Sequence, residues 1–70
     1  MLSIVLRKAE HTRRYVVSPL GDEGWEVTRE REGEPAQRML YHDWHRVERV
    51  LAMFQLEVSE LTARGWQEVH

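Results

Sequence analysis

The segment DWHRVERVLAMFQLEVSELTARGW, residues 43–66, decides how the chain folds. Val47, Val50, Leu51, Phe54, Val58 and Leu61 recur at spacings of three and four. At about 100° per residue these six side chains share one arc of roughly 100°, the stripe of a helix that buries one face. Asp43 is placed to cap the start, because a carboxylate there accepts from the free N–H groups of the first turn. Gly65 stands where a left-handed residue ends a helix, and Trp66 follows at the position that packs back onto Leu61. A helix of about 21 residues is about 31 Å long, enough to cross a four-stranded sheet.

Upstream of this helix the periodicity changes from 3.6 to two, the alternation of strands. Four segments show it: Ser3–Lys8, Arg13–Leu20, Gly24–Arg31 and Gln37–His42. Their phase assigns Ile4, Leu6, Tyr15, Val17, Trp25, Val27, Met39 and Tyr41 to the face that meets the helix. Val5, Val16 and Leu40 then fall on the opposite face. Pro19-Leu20-Gly21-Asp22-Glu23-Gly24 and Gly33-Glu34-Pro35 are the breaks between strands. Residues 9–12, Ala-Glu-His-Thr, carry no turn signal, so strands one and two could also be one long bent strand. The fold expected is α+β: an antiparallel sheet of three or four strands, then one long amphipathic helix packed on one face. Residues 1–70 form a single β-β-β-β-α domain.

Seventy residues leave no room for a second core, and a chain this short buries only about 60% of its unfolded surface. Small domains compensate with disulfides, a metal or a second subunit. Disulfides are excluded because there is no cysteine. The apolar opening Met1–Leu6 is stopped by Arg7 and Lys8, shorter than a signal peptide or a membrane span requires. The expectation is a soluble, cytoplasmic protein without membrane partners. Twelve acidic against ten basic residues argue against a strongly basic nucleic-acid field. The charges are nevertheless segregated. Arg7, Lys8, Arg13 and Arg14 lie together, and six carboxylates follow between Asp22 and Glu34.

The densest cluster of potentially chemical side chains is YHDWH, residues 41–45. His42, Asp43 and His45 could supply three zinc ligands with an open position for water. Their places at a strand end, a cap and a first helical turn make the side chains diverge, so the helix-start reading is preferred. Ser3, Ser18 and Ser59 have no base or elbow beside them, and no glycine-rich phosphate loop is present. A metal-dependent enzyme using the histidine cluster is the weakest reading, and neither a cofactor nor a small-molecule substrate is evident. The three tryptophans could stack on bases, but their phase favours packing. Arg7, Lys8, Arg13 and Arg14 are the candidate phosphate-binding surface, although the carboxylates that follow would repel a nucleic acid.

Arg14-Tyr15-Val16-Val17, Gly24-Trp25-Glu26-Val27-Thr28-Arg29-Glu30 and the helix closing on Arg64-Gly65-Trp66 resemble, in that order, the WGR domain, a nucleic-acid-associated module. The resemblance covers about residues 13 to 66 and implies four antiparallel strands followed by one helix, with a role at nucleic acid. The family's Trp-Gly-Arg signature is replaced here by Arg31-Glu32-Gly33-Glu34-Pro35.

What the residues themselves point to is apolar surface in excess of what one helix covers. Val5, Val16 and Leu40 lie on one side of the fold; Met53 and Leu56, beside Ala52 and Ala63, lie on another. A contiguous apolar patch marks an interface. The expected function is therefore a small non-enzymatic protein-binding module, a homodimer acting as adaptor or inhibitor, of bacterial, phage or mobile-element origin. Nucleic-acid binding through segment 7–14 is the alternative.

Overall fold

A computed structural model describes residues 2–69. The elements run β1 (Leu2–Lys8), β2 (His11–Pro19), a 3₁₀ turn (Gly21–Glu23), β3 (Trp25–Arg31), β4 (Gln37–Tyr41), α1 (Trp44–Ala63) and β5 (Gln67–Glu68). The strands form one antiparallel sheet in the order β4-β3-β2-β1-β5. The α+β architecture with one long helix on one face is as expected. A fifth strand of two residues is added by the segment after the helix.

The helix begins and ends as its sequence dictates. The His45 backbone N–H donates to Asp43 Oδ1 at 3.0 Å. At the other end Gly65 takes φ +98°; its N–H donates to the Thr62 carbonyl at 3.1 Å, and that of Trp66 donates to Leu61 at 3.0 Å. These two bonds are the Schellman pair. Val47, Phe54 and Leu61 are buried against Leu6, Tyr15, Val17 and Val27, with Val50, Leu51 and Val58 packed at the margin. No described helix is long and apolar enough to cross a membrane.

The register confirms the two faces. Ile4 pairs with Tyr15, Val17 with Val27, and Val27 with Met39, all on the helix side. Val5, Val16 and Leu40 alternate onto the other side, over which no described element lies. Met39 departs from the expected core. Its phase is correct, yet it is 55% exposed, because the helix covers the middle strands and, on β4, packs only over the Tyr41 end.

Two turns rest on backbone conformation. Strands β1 and β2 are a tight hairpin, not a bent strand: Lys8 pairs with His11 across Ala9-Glu10. Ala9 holds φ +54°, a positive φ at the first central residue of a two-residue loop, as in type II′ turns. The position favours glycine, and the alanine that occupies it is strained and carries no turn signal in the sequence. Gly24 has φ +110°, and a Cβ at this position would sit 2.2 Å from the Tyr41 carbonyl oxygen. Here the constraint is both conformational and steric.

These two positions predict opposite effects. Ala9→Gly relieves left-handed strain and should raise the thermal midpoint by several degrees, corresponding to about 1 kcal/mol. Gly24→Ala forces β3 away from β4 and should lower stability by more than about 2 kcal/mol. Thermal and urea unfolding followed by circular dichroism check both.

Candidate functional site: the β4 edge and its groove

Strand β4 is one border of the sheet, and its residues Gln37 to Leu40 are all exposed. The direction of its backbone groups follows from its neighbours. The Leu20 N–H donates to Gly24 and that of Glu32 donates to Thr12, so the even-numbered residues of β3 bond to β2. Hydrogen bonding alternates along an antiparallel strand. The odd-numbered residues Trp25, Val27 and Arg29 therefore bond to Tyr41, Met39 and Gln37. This leaves Arg38 and Leu40 with their N–H and C=O groups directed outward from the sheet.

The border strand presents apolar side chains on both faces. Leu40, 53% exposed, lies on the open face. On the helix face, Met39 is joined by Met53 of α1, 58% exposed. Together with Val27, Tyr41, Val50 and Phe54 they line a groove of about 170 Å³ between β4 and the helix, with Arg29 and Gln37 at its end. Methionine thioethers suit such a surface, because three rotatable bonds let them adapt to a partner's shape.

Where the helix draws away from β4 toward β1, the space between it and β3 is filled by charge. Arg29, on the Trp25–Val27 face, pairs with Glu57 of α1, and both side chains are mostly buried. The guanidinium lies 5.6 Å from the Phe54 ring centroid and 5.9 Å from that of Tyr15. Arg29 Nε and Glu57 Oε2 are buried without a hydrogen-bond partner. Burial first, and then the nearby Glu57 carboxylate, push the Tyr15 phenol above its ordinary pKa, while Arg13 acts in the opposite direction. Sequence reading missed this pair. Its signal was present: Arg29 is in phase with an apolar strand face, and Glu57 borders the helix's apolar arc.

The expected interface residues do not form one surface. Val5 and Val16 are half-buried on the open face. Leu40 shares that face at the border, Met53 belongs to the groove, and Leu56, 64% exposed, lies farther round the helix. The basic segment is also divided. Lys8 and Arg13 point to the helix side, where Lys8 Nζ donates to the Arg64 carbonyl at 2.6 Å and Arg13 stacks 5.2 Å from the Trp66 ring centroid. Arg7 and Arg14 alternate onto the open face, where Arg14 sits between Val5 and Glu30. Two of the four cations thus complete the helix C-terminus and do not share a surface with the other two.

The residues of the histidine cluster have separate surroundings. Asp43 caps the helix, His45 Nδ1 lies 3.9 Å from Glu48, and His42 is exposed at the strand end. Among the described residues no group of three His, Asp or Glu side chains is gathered as a metal site. Of the tryptophans, Trp25 and Trp66 pack against the core, whereas Trp44, 5.3 Å from Trp25 between ring centroids, stays 45% exposed. Comparison of the chain with protein-family models, curated proteins and solved structures gives no match.

The ion pair in the gap has a measurable consequence. Glu57→Leu strands the Arg29 charge and should cost about 1–3 kcal/mol. Replacing both partners, as Arg29→Met with Glu57→Leu, should recover most of that loss. A double-mutant cycle by urea unfolding reads the difference.

Proposed function

We propose that this chain is a small non-enzymatic protein-binding module that acts through self-association, in the manner of an adaptor or inhibitor. The observation that carries the reading is the concentration of uncovered apolar side chains about one sheet border, namely Met39, Leu40 and Met53. A scatter of single exposed apolar residues is ordinary on a soluble domain. Here three of the large ones gather at a border whose backbone groups are also unsatisfied by the sheet. Water must solvate both, and a partner that supplies a strand and an apolar surface would replace that water on favourable terms.

The size of the domain supports the same reading. With seven of the described residues forming the buried core, the chain belongs to the class in which a second subunit commonly adds stability. Sedimentation equilibrium across roughly 1–100 micromolar protein tests this by mass action. The expected result is a reversible monomer–dimer equilibrium within that range. A species that stays monomeric throughout would reject self-association.

A further inference from the structure

We propose that two copies of this chain join border to border, β4 against β4 of the second copy, antiparallel about a two-fold axis at Met39. The proposal rests on the self-association reading above and assigns its surface and register.

The two borders of the sheet are not equivalent. On one side β1 is covered over part of its length by β5, two residues long and held by Val69 N–H to the Val5 carbonyl at 2.8 Å. A very short border strand is a device that blunts strand addition. On the other side β4 offers five residues with no proline, no lysine and no bulge; Pro35 stands before the strand and not in it. Such a border is a template for pairing.

The backbone phase and the side chains together select a register. With Met39 opposite its own counterpart, Arg38 of each copy faces Leu40 of the other. These are the two residues whose N–H and C=O groups point outward, so both pairs exchange their two hydrogen bonds and no outward group of β4 between them is left over. Met39 meets Met39 on the helix face, beside the Met53 of each copy, and the two grooves run together. Gln37 meets Tyr41. On the open face Glu26 and Leu40 are register partners, and the second copy's Arg38 extends that row. With strands about 4.8 Å apart, the arginine and glutamate Cα atoms lie about 10 Å from one another, a span that the two long side chains close above Leu40.

Competing registers are worse. Centring on Arg38 sets two arginines directly opposite, which is unfavourable. Centring on Leu40 carries the ladder past the strand end at Tyr41 into His42 and Asp43, and the Asp43 carboxylate is held by the helix cap. The interface is small, so the expected dimer is weak, at the low end of specific contacts.

The test uses the full chain with two kinds of variant. Leu40→Pro removes an outward N–H while sparing the bonds from β4 to β3. It should weaken the dimer at least tenfold in sedimentation, with the monomer's circular dichroism unchanged. Met39→Cys places a thiol at the axis of a chain that has no other cysteine. The expected Cα separation of about 4.5 Å at such a pair allows a disulfide. Under a mild thiol oxidant it should give a covalent dimer on a non-reducing gel, and Gln55→Cys, on the helix flank beside Leu2 and Leu51, should not. If wild-type protein is monomeric, the self-association reading itself fails. If wild type is dimeric but Met39→Cys does not cross-link, or Leu40→Pro folds and dimerises as wild type, self-association stands and this border is the wrong surface.

Discussion

One helix cannot cover this sheet. Five strands at about 4.8 Å spacing span about 19 Å, whereas a helix with its side chains is about 10–12 Å across. Burial therefore has to be concentrated somewhere. It falls on Leu6, Tyr15, Val17 and Val27 in the three middle strands. Both the exposure of Met39 and the groove beside it follow from this mismatch of widths. Neither reflects a defect of pattern, since Met39 alternates with its neighbours as a core residue should.

The direction in which the helix lies decides which border is left bare. Its start is held near β4 and β3, because only His42 and Asp43 separate β4 from α1 and Trp44 lies at a tilt against Trp25. Its end is drawn to β1. Gly65 reverses the chain, Lys8 covers the last carbonyls, Trp66 lies against Arg13, and β5 then pairs with β1. The rod thus crosses the sheet obliquely, and the space between it and the Gln37 end of β4 widens along its length. Arg29 and Glu57 occupy that widening space. A charge pair is tolerable there because the site is only partly dry, and the long arginine stem can lie across Tyr15 and Phe54.

What could be read from the sequence was whatever is periodic or local. The helix arc, its cap and its closing glycine are local facts, and each is realised at the named residue. The strand phases are equally local, which is why every face assignment agrees with the register. What could not be read depends on how far one element reaches over another. Alternation places Met39 on the helix face but does not say whether the helix arrives. The turn at Ala9 was hidden because the hairpin imposes a positive φ on a residue that resists it. Strand β5 was hidden because two residues, Gln67 and Glu68, hold no pattern; they become a strand only once the helix end is fastened beside β1. The division of the basic segment is a consequence of strand alternation that charge counting overlooked. Lys8 and Arg13 fall on the helix side, whereas Arg7 and Arg14 do not.

The contrast between the two borders bears on why a chain this small can leave one of them open. An uncovered strand is a liability when it invites indiscriminate pairing. The danger is lessened where the strand is five residues long and carries a cation, Arg38, next to Met39. Shifting the pairing by one residue exchanges the two faces of the incoming strand, so that Met39 would lose its apolar counterpart and Arg38 would turn toward the groove. In the proposed pairing, discrimination comes from register, with the aligned arrangement favoured and its neighbours disfavoured. The same logic couples the proposed assembly to folding. A domain with so modest a core has little stability to spare, and whatever completes its border adds stability in proportion to its own binding. In that arrangement the bare strand is the point at which the fold's stability becomes dependent on concentration.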